Sequence, residues 1–172
     1  MERIAQFEKV SAEQFTEDFK KLFPDFSDGE IAEIYGGISL PRRATAGSAG
    51  YDFFLPLDAL LVPGKSVVIP TGIRAKIVDG WVLNLYPRSG LGFKHGFRLE
   101  NTVGIIDSDY YNADNEGHIM AKVSVSSEVS LSAGKAFMQG VFLPFGITSD
   151  DNAEGERHGG FGSSDRQGNT SK

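Results

Sequence analysis

At 172 residues the chain has room for one domain with a sizeable core, because chains near this length bury roughly 70% of the surface they expose when unfolded. The absence of cysteine excludes a disulfide frame and a thiolate zinc site and fits a reducing cytoplasm. The net charge of -6 gathers at one end, with nine acidic against four basic residues in positions 1–36, and no basic cluster offers a nucleic-acid footprint; nor does any window approach the ~18 apolar residues of a membrane span.

Residues 1–36 predict two short helices. In SAEQFTEDFKKLF, Ser11 can cap with Gln14 three residues on, Phe15, Phe19, Leu22 and Phe23 fall on one face, and Pro24 stops the run. In FSDGEIAEIY, Ser27 and Glu30 form a second capping box, and Ile31, Ile34 and Tyr35 make the apolar side. Val10 with Phe15, and Phe26 with Ile31, sit at hydrophobic-staple positions. This acidic hairpin reads either as a partner-binding element or as a helical pair laid on the main domain. If it is decoration on an enzyme, removing residues 1–35 leaves turnover intact.

From residue 37 the texture turns to short β-rich runs punctuated by Gly and Pro: GGISLP, YDFFLP, DALLV, KSVVIP, GIRAKIV, WVLNLYP, HIMAKVSV, EVSLS and FMQGVFLPF. In HIMAKVSV, Ile119, Ala121, Val123 and Val125 alternate with His118, Met120, Lys122 and Ser124, the period of a half-buried strand. So many strands predict a mainly β sandwich, jelly roll or barrel over 37–145, interrupted by one short helix at RSGLGFKHG. Residues 146–172 lose the apolar pattern and fill with Gly, Ser, Asp and Asn, the composition of a mobile arm. His95, His118 and His158 have no ligand spacing and read as surface or structural residues, and Trp81 reads as core.

Three stretches carry groups suited to chemistry. Arg88, Ser89 and Gly90 place a guanidinium, a hydroxyl and an open backbone N–H at one turn, where phosphate oxygens are well received. In NTVGIIDSDYYN an apolar run ends in Asp107 and Asp109; a continuing strand would put both acids on one side, whereas Asn112, tolerant of positive φ, suggests a turn. In RHGGFGSS, Phe161 stands on glycines where a flat ring could stack on it.

Taken with AGYDF (49–53), PRSGLG (87–92) and GKAFMQGVF (134–142), the stretches GIIDSDYYN (104–112) and RHGGFGSS (157–164) resemble, in order, the motifs of the homotrimeric dUTPases. The likeness spans 38–164 and leaves the helical N-terminus outside. It implies a jelly-roll-like trimer whose active sites are shared between copies, and Mg²⁺-assisted hydrolysis of dUTP to dUMP and pyrophosphate. By the same resemblance Asp107 is the general base and Tyr110 lies under the deoxyribose, leaving no room for a 2′-hydroxyl. Asn101 reads uracil with backbone groups of Gly104 and Ile106. Arg88, Ser89 and Gly90 hold the α and β phosphates, Gln139 adds a donor, and Asp52 reaches the metal through water. Phe161 closes over uracil, and Arg157, Gly162 and Ser163 meet the terminal phosphates.

The chain departs from the family pattern at Ala136, where an arginine is usual, at Asn112 in place of glycine, and in a last motif one residue shorter between Arg157 and Phe161. Two rivals share the fold. A dCTP deaminase needs an activating glutamate near the base, and no acid besides the pair at 107 and 109 is suitably placed. A nucleotide-gated regulatory module would use the acidic helices to contact a protein partner.

Overall fold

The structure, a computed structural model, describes residues 2–155. The chain opens with strand β1 (Ala5–Lys9), then helices α1 (Ala12–Leu22) and α2 (Asp28–Gly37). Strands β2 (Arg42–Arg43), β3 (Tyr51–Phe54), β4 (Ala59–Leu61), β5 (Val67–Pro70), β6 (Ile73–Ile77) and β7 (Trp81–Pro87) lead to the short helix α3 (Ser89–His95). After it come β8 (Arg98–Leu99), β9 (Gly104–Ile106), a 3₁₀ turn over Ser108–Asn112, β10 (Met120–Ser124), β11 (Val129–Leu131) and β12 (Ala136–Pro144).

The described pairings are antiparallel and group the strands as β1-β6, β5-β10-β8, β11-β4 and β2-β3-β12-β7-β9, an open, jelly-roll-like, mainly β architecture. Long β12 is the spine: it pairs with β3 on one side and with β7 on the other, setting Gln139 beside both Asp52 and Tyr86.

Both helices start where their capping residues stand. Ser11 Oγ accepts from the Gln14 N–H at 3.1 Å, but the Ser11 N–H does not return to Gln14; it donates to Glu116 Oε2 at 2.7 Å. Ser27 and Glu30 close a full reciprocal box. The apolar faces then pack inward. Val10, Phe15, Phe19 and Ile31 are almost wholly buried in the same core as Phe53, Leu83, Ile119 and Phe137. Truncating any one of these buried phenylalanines would cost about 3–5 kcal/mol. Around them Phe19 contacts Phe23 and Phe26, and Phe15 contacts Tyr35, so the hairpin turns an aromatic face to the sheets.

Two sequence expectations shift. GGISLP is not a strand: α2 runs through Gly37, and the Ile38 N–H closes it on the Tyr35 carbonyl while the Ile38 side chain enters the core. The N-terminal residues, in which only helices were expected, also hold β1, whose five residues pair with β6 and set Glu8 opposite Arg74.

Candidate functional site

β9 delivers the chain to a turn. Ile106 ends the strand, Asp107 is still extended (φ -80°, ψ 161°), and the Tyr110 N–H bonds back to the Asp107 carbonyl at 3.2 Å. The two acids therefore leave the strand on a 3₁₀ turn and do not share a strand face. Positive φ falls not on Asn112 but on Thr102 (66°) and Glu116 (57°), with Gly117 (69°) following.

Tyr110 is buried, and its hydroxyl is fixed at the far end: it donates to the His118 carbonyl at 2.8 Å and accepts from Asn115 Nδ2 at 2.9 Å. Its ring helps to line a cavity of about 280 Å³ with Asn101, Gly104, Ile106, Leu85 and Leu99. Gly104 lies opposite Leu85 in the β7–β9 register, and a Cβ there would come within 3.0 Å of Leu85 Cβ, so glycine keeps this wall close. The pocket is apolar with a carboxamide at its edge, a surface suited to a flat, amide-bearing ring. Asp107 follows Ile106 directly in the chain, and its own side chain lines neither this cavity nor the wider one beside α3.

A second, wider cavity of about 870 Å³ lies where β3, β11, β12 and α3 meet. Asp52, Arg88, Ser89, Gly90 and Gln139 line it, and Lys94 and Lys135 add positive charge. Arg88 Nε stands 3.4 Å from Asp52 Oδ1, and Gln139 Nε2 donates to the Pro87 carbonyl at 3.5 Å. A Cβ on Gly50 would lie 2.6 Å from Gln139 Oε1, so glycine leaves that amide its place. The guanidinium, lysines and helix-start hydroxyl suit an anion with several oxygens. The two cavities have no lining residue in common.

Asn101, Gly104, Ile106 and Tyr110 thus meet in one pocket, and Asp52, Arg88, Ser89, Gly90 and Gln139 in the other, while Arg157, Phe161, Gly162 and Ser163 lie outside the described residues. Among the described residues no three His, Asp or Glu side chains cluster as metal ligands. A divalent ion here fits as one carried on ligand phosphates with much of its water, met by a single carboxylate such as Asp52, the usual habit of Mg²⁺.

The supports of the connection between β9 and β10 were less visible in the sequence. His118 is fully buried: Nε2 accepts from the Gly72 N–H at 2.8 Å, which leaves the proton on Nδ1, 2.8 Å from Asp18 Oδ2 on α1. Burial pushes the Asp18 carboxyl up, but hydrogen bonds from His118 and Gln14 outweigh it and hold the group below the usual carboxylate range. Tyr111 donates to Glu8 Oε2 at 2.7 Å and stacks under Arg74, whose Nη2 reaches the same oxygen at 3.0 Å. That tyrosine, with Arg74 behind it, lowers the Glu8 pKa, and hydrogen bonds from the Ser11 hydroxyl and N–H lower that of Glu116.

The dUTPase family model matches residues 37–165. The deoxyuridine 5′-triphosphate nucleotidohydrolase of Lactococcus lactis is 45% identical over 132 residues, covering 74% of this chain and 88% of that one. The enzyme of the same name from Tolumonas auensis is 41% identical over 145 residues, covering 78% and 93%. Among solved structures, the dUTPase from Streptococcus mutans superposes with a TM-score of 0.62 at 36% identity, covering 83% of this chain and 98% of that one. A mutant dUTPase from phage phi11 of S. aureus, described with a structural Mg(II) ion, shares the fold at 18% identity and a TM-score of 0.62, covering 89% and 98%.

Proposed function

Because the chain belongs to the dUTPase family, we propose that it is a dUTP diphosphatase, releasing dUMP and pyrophosphate by attack of water on the α phosphorus. The observation that carries this reading is the meeting of Asn101, Gly104, Ile106 and Tyr110 around one apolar cavity whose strand runs straight into Asp107.

In this mechanism Asn101 and the backbone of Gly104 and Ile106 bond the polar edge of uracil, and their closeness leaves no space for the methyl of thymine. The Tyr110 ring packs under the deoxyribose and excludes a 2′-hydroxyl, so selection against dTTP and UTP is steric. Arg88, Ser89 and Gly90 bind the α and β phosphates, and Gln139 adds a donor. Arg157, Gly162 and Ser163 take the terminal phosphates and Phe161 stacks on the base, a contact worth about 1–3 kcal/mol. Asp107 orients a water and accepts its proton as the new P–O bond forms and pyrophosphate departs. Mg²⁺ bound to the phosphates, with Asp52 reaching it through water, would supply charge neutralisation.

The base pocket and the phosphate pocket share no lining residue within one chain. We take this to support a homotrimer in which the two pockets of each site come from different copies.

A pyrophosphate-release assay over dUTP, dTTP, UTP and dCTP, with and without Mg²⁺, tests the function. Turnover confined to dUTP and dependent on the metal is expected. Ammonia from dCTP, or equal turnover of dUTP and UTP, would sink the reading.

A further inference from the structure

Residues 2–36 lie outside the span matched by the family model, yet three of their side chains reach one short stretch of the connection that follows the nucleoside pocket's strand β9. Glu8, on β1, accepts from Tyr111. The Ser11 cap donates to Glu116 through both N–H and hydroxyl, at 2.7 and 2.6 Å. Asp18, inside α1, holds the His118 imidazole.

We propose that this N-terminal segment is a positioning element for the sugar-contacting connection between β9 and β10, with Glu8, Ser11 and Asp18 acting through Tyr111, Glu116 and His118 to fix the ring of Tyr110. The inference rests on the nucleoside assignment of the pocket. Three features make the contacts more than packing. First, they fall on both flanks of the Tyr110 ring: Tyr111 is its chain neighbour, and the His118 carbonyl holds its hydroxyl. Second, the connection into β10 passes through consecutive positive-φ residues, Glu116 and Gly117. A non-glycine residue in that region costs roughly 1–2 kcal/mol and persists only when its surroundings hold it. Here the Ser11 clasp on the Glu116 carboxylate does so. Third, Gly117 packs directly against the Tyr110 backbone, since a Cβ there would lie 2.6 Å from the Tyr110 carbonyl oxygen. Displacement at 116–117 is therefore transmitted to the backbone that carries the ring. A ring that moves by a fraction of an ångström opens space beside the sugar, and discrimination against a 2′-hydroxyl is what it guards.

The test compares Glu8→Ala, Glu8→Gln and Tyr111→Phe with Glu30→Ala, which breaks the α2 cap far from the pocket. The ratio of kcat/KM for dUTP to that for UTP is read because it does not depend on the folded fraction. Glu8→Ala and Tyr111→Phe should lower the ratio by about tenfold, chiefly by raising kcat/KM for UTP, with Glu8→Gln, which still accepts from Tyr111, restoring most of it. Glu30→Ala should lose stability and keep the ratio. Hydrogen exchange at amides 110–118, read in the same folded proteins, should quicken in Glu8→Ala and not in Glu30→Ala. A wild-type protein without dUTP turnover would count against the assigned function alone, because the exchange data still decide whether the segment holds that connection. Unchanged ratio in an active enzyme, or unchanged exchange, would overturn the proposal.

Discussion

Asp18 Oδ2 and His118 Nδ1 lie 2.8 Å apart in the interior, one hundred positions apart in sequence, and tie α1 to the end of the connection between β9 and β10. The Gly72 N–H fixes the imidazole's other nitrogen as an acceptor, so Asp18 is the partner that satisfies Nδ1–H. Asp18→Ala would leave that donor buried without a partner, at a cost of about 1–3 kcal/mol. Urea unfolding at neutral pH checks it; an unchanged midpoint would mean that the imidazole finds another acceptor.

Asp18, Glu8 and Glu116 all have carboxyls held below their ordinary values. Their folded pKa values lie beneath the unfolded ones, so the unfolded chain binds more protons in that range. The stability they contribute is fully present above the unfolded carboxylate values and is lost as pH falls through the folded ones. Unfolding midpoints should be flat near neutrality and drop below about pH 4. Glu8 and Glu116 are about a third exposed or less (28% and 34% of the side chain), so solvent screens their share and Asp18→Asn should flatten the acid limb most.

Asp107→Asn should keep dUTP affinity and lose about 10² to 10⁴ in turnover, the range for removing a general base. Calorimetric titration beside a rate assay separates the two. Equal loss in both would make Asp107 structural.

Arg88→Ala strikes the second cavity, whereas Asp107→Asn strikes the turn that follows β9, the strand walling the first. Should each working site draw its phosphate pocket from one copy and that turn from another, mixing and reassembling the two inactive chains in equal amounts regains about a quarter of the wild-type sites by random assortment. A mixture as inactive as its components would place both halves in the same chain.

Local signals in the sequence carried much of this structure. The caps at Ser11 and Ser27, the alternation through Ile119–Val125 and the end of a strand at Ile106 each depend on neighbours within a few residues. What escaped is non-local. β1 is five residues long and becomes a strand by pairing with β6, more than sixty positions on. Asp18 sits in an acidic helix that reads as solvated, and its burial depends on a histidine brought in from the sheet. His118 stands in the polar register of its run and is nonetheless buried, because Gly72 and Asp18 satisfy both ring nitrogens. Glu116 has no motif of its own; its role comes from the Ser11 N–H that Gln14 leaves unclaimed.

Phe15 and Phe19 lie in the common core, and Ile38 packs over Gly72 so closely that a Cβ on that glycine would collide with it, with the Phe15 ring 3.3 Å away. The family model's match begins at residue 37, but the interior is continuous across that point. Trimming the chain there uncovers greasy strand faces and invites clumping, so a shortened protein that fails to turn over dUTP would reveal an opened interior before it revealed anything about a lost partner.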